Sequence, residues 1–159
     1  MSRSHIGKTF WVAPAAPATE NAAGFAALTW TKVNGVQTLP QIGFSHANID
    51  VPDLQTGITR GVKGAGAGND STATFRIVTS DAGQASVRTL ANAGGVAAIG
   101  SIRITRGTGT DGAPAAGNEL QYATGYFHSY VEVQGDDTSF EGFSVNFKQN
   151  SPTVDATFP

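Results

Sequence analysis

ELQYATGYFHSYVEVQ, residues 119–134, and SFEGFSVNFKQ, residues 139–149, carry the pattern that decides the fold. Both are rich in aromatic and β-branched residues, and both read as long strands joined at Gly135-Asp136-Asp137. In the first, the apolar positions change parity: Leu120, Tyr122 and Tyr126 are even, whereas Phe127, Val131 and Val133 are odd. A one-residue phase change beside Gly125 predicts a β-bulge there, because an extra residue turns every later side chain to the other face. The second segment repeats the change at Gly142, from Phe140 to Phe143, Val145 and Phe147. Two such changes predict a strongly bent hairpin of the kind that curls a sheet toward a barrel. Sixteen residues of extended chain reach ~50 Å. That exceeds what one small core needs and points to pairing outside the subunit.

Upstream, Thr9 to Ala13 reads as a strand ending at Pro14, and Ala15 to Asn21 as a small-residue loop with Pro17. Trp30 and Val33 lead to Asn34-Gly35, a pair that tolerates positive φ and predicts a hairpin-like reversal. Short strands follow at Val36–Leu39 and Ile42–His46, interrupted by Pro40. Asn48 to Asp70 holds Pro52, five glycines and little apolar content, so residues 47–71 are expected to form an extended polar loop. Thr72 to Thr79 alternates, with Ala73, Phe75 and Ile77 on one face. A single convincing helix comes next. Asp81 caps it with Gln84 as a capping-box partner, Gly94-Gly95 closes it, and Val87, Leu90 and Ala91 form a narrow apolar stripe that suits a sheet. Ile99 to Arg106 is a further strand with Ile102 and Ile104 inward. The expected architecture is mainly β: one domain over residues 1–159, a β-sandwich or half-barrel with one flanking helix. Residues 150–159 are expected as an extended tail.

Charge is sparse but sorted. Only 14% of the 159 residues are charged, against roughly 25% in ordinary soluble domains. From Leu54 to Arg106 the net charge is +4; from Gly107 onward it is −6, and the first 53 residues balance. Opposite charge in two regions favours association of one copy with another. With no cysteine, the chain excludes disulfides and thiolate metal sites. Residues 1–8 lack the apolar run of a signal peptide, and no stretch approaches a membrane span, so neither export nor stable membrane association is expected.

The residues of catalysis do not form a pattern. His5, His46 and His128 lie far apart and lack metal-ligand spacing. Asp50 and Asp53 lack the alternating Asp/Asn/Gly order of a calcium loop. Gly61 to Gly68 fits neither a phosphate loop nor a dinucleotide fingerprint, and no serine sits in a nucleophile elbow. No cofactor is expected. The basic residues of the middle segment do not interleave with aromatics as a base-stacking platform requires, and the acidic carboxy-terminal strands repel DNA. Repulsion suits a channel that passes DNA without holding it.

The layout resembles the major tail tube proteins of long-tailed bacteriophages. The matching features are the opening Gly7-Lys8-Thr9-Phe10-Trp11-Val12 strand, a Pro/Ala loop, and Trp30-Thr31-Lys32-Val33-Asn34-Gly35-Val36. They continue with the polar loop around Asp50 to Gly68, the helix between Thr79 and Gly94, and the long bent hairpin before Pro152. The resemblance spans nearly the whole chain and rests on order and pattern. It implies hexameric rings whose sheets join into an inner barrel, stacked into a tube that carries the tape-measure protein and then the genome. Tail terminator and baseplate proteins are the implied further partners, with DNA passing through transiently. Assembly in the host cytoplasm and residence in the virion tail follow from the same picture. Within it, Glu119, Glu132, Asp137 and Glu141 are expected on or near the lumen, and Asp50, Asp53, Arg60 and Lys63 in ring stacking. The competing expectations are a virion decoration or adhesin-type β domain that binds a surface or saccharide, and a hydrolase with dispersed catalytic residues.

Overall fold

Among the described residues, alternating and β-branched segments become ten strands, and the capped apolar stripe becomes the main helix. The computed structural model describes residues 2–133, 135 and 137–159. In chain order its elements are β1 (Thr9–Ala13), α1 (Ala22–Ala26), β2 (Thr31–Val33), β3 (Val36–Thr38), β4 (Phe44–Asp53) and β5 (Ile58–Gly68). Then follow β6 (Asp70–Arg76), α2 (Ala82–Asn92), β7 (Ile99–Thr105), β8 (Glu119–Val133), β9 (Gly142–Gln149) and β10 (Val154–Thr157). One antiparallel sheet has the order β2-β1-β7-β8-β9-β6-β3, with β10 paired to the first part of β8. Among the described residues, β4 and β5 pair only with each other. The segment expected as an extended tail is thus partly strand, with Val154 opposite Tyr122 and Thr157 opposite Glu119.

The outermost strands, β2 and β3, are consecutive in sequence, joined by Asn34-Gly35. The expected hairpin is absent: the two strands pair with β1 and β6, not with each other. The link instead bridges the two ends of the curled sheet. Gly35 has φ +75°, and its carbonyl accepts from the Arg76 N–H at 2.7 Å. A side chain there would meet the Arg76 carbonyl at 2.2 Å, so only glycine serves.

The start of α2 seals this seam. Asp81 caps the Gln84 N–H at 2.9 Å and also accepts from Asn34, through its N–H at 3.3 Å and its Nδ2 at 2.6 Å. Gln84 does not return a bond to Asp81 as a capping box requires. Its Oε1 accepts from the Val78 N–H, and its Nε2 donates to the carbonyls of Asn34 and Arg76. The capping pair read from the sequence is therefore divided between helix end and seam. Val87 and Leu90 are buried against the sheet as their spacing predicts.

β8 departs from the expected geometry. Pairing with β7 runs without a break from Leu120 to Tyr126, so no bulge lies at Gly125. The parity change arises because both faces of the strand are covered by different partners. Leu120 and Tyr122 join Phe25 in one cluster, beneath Leu28, Trp30, Val154 and Phe158. Ala123 and Phe127 face the larger core with Phe10, Ile102, Phe75, Phe143, Val145, Phe147 and Val87. The bulge sits four residues later, where the register with β9 shifts between His128 and Val131 and Ser129 takes φ +56°. It brings Tyr130 back to the core side, with its ring 5.1 Å from Phe143. At Gly142 there is no phase change either: Phe140 precedes β9, which pairs evenly with β6. Of the turn read at 135–137, Asp136 lies outside the described residues, as does Gln134 at the strand end.

The second cluster holds a buried cation. Arg103 lies 4.5 Å from the centre of the Trp11 ring and 5.0 Å from that of Trp30. Two aromatic faces compensate part of its lost hydration. Burial still pushes its pKa down, while Tyr122 beside it acts in the opposite direction.

Candidate assembly surfaces

Three surfaces stand out among the described residues, one on the β4–β5 arm and two on the main sheet. The first is the β4–β5 hairpin. The stretch expected to be an irregular loop is a two-stranded arm, with Ile49 opposite Val62 and Asp53 opposite Ile58. At its tip the Asp53 carboxylate accepts from the Gln55 N–H at 2.9 Å, and Gly57 closes the turn with φ +66°. Bonds from the Thr56 side chain and the Gln55 N–H hold the Asp53 carboxyl below its ordinary pKa.

Strand alternation splits the arm into two unlike faces. Ile49, Val51, Ile58 and Val62 share one face with Asp53 and Arg60, and these four apolar side chains remain 48–57% exposed. Asn48, Asp50, Pro52, Thr59 and Lys63 form the other. The four residues assigned to stacking therefore all lie on the arm, divided two and two: Asp53 with Arg60, Asp50 with Lys63. The sequence reading passed over the apolar residues. Their signal was the alternation Ile49, Val51 and Ile58, Arg60, Val62, diluted by Pro52 and the glycines.

The second surface is the face of β6, β9 and the far part of β8 that points away from α2. Rows of paired residues cross it: Asp70, Lys148 and Tyr126; then Thr72, Asn146 and His128; then Thr74, Ser144 and Val131. Thr72 donates to the Asn146 Oδ1 at 2.9 Å, and Lys148 donates to the Gly68 carbonyl at 2.7 Å. His128 contacts Asp70 at 3.0 Å and Ser129 at 2.8 Å. The hydroxyl in this Ser-His-Asp group belongs to the next residue along the chain and meets Nδ1. The set therefore reads as a brace for the bulge. Beyond Tyr126, no strand among the described residues pairs with the side of β8 that faces away from β9.

The third surface is the end of the β8–β9 hairpin. Val131, Val133 and Phe140 are all more than half exposed. Asp137 and Glu141 lie in the connecting segment, both exposed. Glu132 faces the helix side, 3.6 Å from Arg88, and accepts from the Tyr130 hydroxyl at 3.2 Å. Glu119 stands at the opposite end of β8, paired with Arg3 at 3.0 Å. Three of the four acids assigned to the lumen are thus gathered near one end of the hairpin, and the fourth is not.

No family model matches the sequence, and a search of curated proteins gives no match. Solved structures do match. The SPP1 tail tube superimposes with TM-score 0.64 at 14% identity, over 98% of this chain and 79% of that one. The tail of an empty GTA particle, refined with C6 symmetry, gives 0.60 at 9% identity, over 99% and 100%. The sheath–tube complex of an extracellular contractile injection system in its extended state gives 0.59 at 14% identity, over 94% and 88%. The curled sheet, its sealing helix and the long β8–β9 hairpin together make up the tail tube fold, and this chain has it.

Proposed function

We propose that this chain is a non-enzymatic structural subunit that assembles into hexameric rings, which stack into the tube of a phage tail, the conduit for genome delivery. The observation that carries the reading is the edge along the far half of β8 that no described strand pairs, beside a polar sheet face. Open strand edges on a curled sheet are completed by a neighbour's strand, and a head-to-tail contact of this kind closes into a ring. The C6 symmetry of the matching GTA tail supports six copies. The rows of Thr, Ser and Asn on β6 and β9 suit a lumen wall. They offer no cluster of cations to retain phosphates, and each retained contact would slow a passing polyanion. Asp137 and Glu141 lie at the rim of that wall in this arrangement, whereas Glu132, on the helix side, and Glu119, at the other end of β8, lie away from it. A tape-measure protein, terminator and baseplate proteins are the partners such a tube requires, and the virion tail, assembled in the host cytoplasm, is its place.

Electron microscopy of the purified protein tests the reading. Hollow filaments or six-membered rings are expected; a monomer that stays monodisperse at high concentration overturns it and favours a decoration or adhesin role. The arm is tested by replacing residues 49–62 with Asn-Gly, a two-residue connection that keeps the base of the hairpin. The shortened protein is expected to fold and form rings without lengthening into tubes. Normal tubes from it remove the arm from stacking.

A further inference from the structure

The arm and the exposed end of the β8–β9 hairpin lie at opposite ends of the same strands. β6 and β9 pair from Asp70 opposite Lys148 to Arg76 opposite Gly142. The arm springs from the first end, where Gly68 receives the Lys148 bond and Gly43 donates to Gln149 at 2.8 Å. Val133 lies opposite Gly142 at the other end, and a Cβ on Gly142 would lie 3.5 Å from the Phe140 ring. Val131, Val133 and Phe140 therefore make one continuous apolar patch beside Asp137 and Glu141. The arm's apolar face carries Arg60, which has no carboxylate partner among the described residues.

We infer that the apolar face of the arm seats on the Val131–Val133–Phe140 patch of a second copy in the next ring, with Arg60 directed to the acidic residues beside that patch. The inference rests on the stacked-ring reading and names the receiving surface for it. Three properties of the two surfaces converge. Each presents aliphatic side chains too exposed to be left in water at no cost. The arm's charges balance, Asp50 and Asp53 against Arg60 and Lys63, but Arg60 has no carboxylate partner among the described residues and the seat's neighbours Asp137 and Glu141 are acidic. Most decisively, their separation along the strand axis makes the contact heterologous: each copy offers an arm at one end and a seat at the other. Repeating it propagates along that axis without closing, as a tube requires. Two arms packing on each other would form a closed pair and stop.

The absence of cysteine permits a direct test. Val62→Cys and Val133→Cys are introduced together, tubes are collected, and copper phenanthroline oxidises them before non-reducing electrophoresis. A ladder extending beyond the dimer is expected from the double variant, at least tenfold stronger than from either single variant. Thr59→Cys with Val133→Cys, which moves the thiol to the polar face of the arm, is expected to give no ladder. Tubes with no ladder from the double variant overturn the seat while leaving the stacked rings standing. Dimers from Val62→Cys alone, as strong as any from the double, overturn it in favour of arm–arm packing. If the double variant does not form tubes, the two single variants are mixed and oxidised. The mixed heterodimer must then exceed both homodimers, and its failure to do so overturns the seat.

Discussion

Gly83 occupies the first turn of α2 where the helix backbone crosses β2. A Cβ at this position would lie 2.1 Å from the Lys32 carbonyl oxygen and 2.7 Å from the Val33 Cα. These are backbone atoms, so the helix itself must retreat, and Asp81 and Gln84 would leave the seam with it. Gly83→Ala is expected to cost about 3 kcal/mol despite the better helix propensity of alanine. That lowers Tm by roughly 6–12 °C in thermal unfolding. Gly94→Ala, with open space around the new methyl, is the control and should leave Tm within error. At Tyr122 the expectation concerns pH. Burial raises its phenol above the ordinary value, with Arg103 opposing part of the shift. A raised folded-state pKa means the neutral phenol contributes fully below about pH 10, the unfolded value, and its contribution is lost as pH climbs through the folded value. Tyr122→Phe should therefore lose less stability between pH 9 and 11.5 than the parent, read as a shallower fall of Tm. Parallel curves would show that Tyr122 is not the group responsible.

Among the elements, β8 shows where sequence pattern suffices and where it fails. The strand character of β1, the inward residues of β6 and β7, and the stripe of α2 all follow from period and caps, because each of those segments is read against one dominant core. β8 is read against two. Its even residues are buried by β10 and α1 and its odd residues by α2, so parity along the strand records which neighbour covers it and not a bulge. The true bulge at Ser129 leaves a weaker trace, since the residues it turns outward, Val131 and Val133, are apolar as well. The arm was obscured for a related reason: its alternation is short, and its apolar face has no partner within the subunit to make the pattern strong. Deleting Ser129 tests the bulge directly. The deletion turns Tyr130 away from Phe143 and swings Val131 toward α2. Loss of the partly buried Tyr130 contacts predicts about 2 kcal/mol of destabilisation by urea unfolding. The arm, far along the strands, is not expected to change. A neutral deletion would mean that β8 tolerates either register.

At the scale of the whole molecule, charge sorting along the chain is partly undone where the helix packs on the sheet. Arg88 on α2, from the basic segment, meets Glu132 from the acidic one at 3.6 Å. A one-dimensional tally therefore overstates the charge separation in space. Surface charge stands at the two ends of the strands: Arg60 and Lys63 balanced by Asp50 and Asp53 on the arm, and Asp137 and Glu141 beside the β8–β9 patch. Arg60, Lys63, Asp137 and Glu141 are exposed, so each pair of them is worth little to the stability of a single subunit. Their effect belongs to encounter between copies, where an approaching arm meets the summed field of a rim. Reversing both cations in Arg60→Glu/Lys63→Glu should leave Tm unchanged within error and slow tube growth about tenfold at 20 mM salt. Near 1 M salt the screening length falls to about 3 Å, and the two proteins should converge. Light scattering of growing tubes across this salt range reads the difference. Equal rates at low salt would assign the arm's contribution to its apolar face alone, since Ile49, Val51, Ile58 and Val62 are untouched by the reversal.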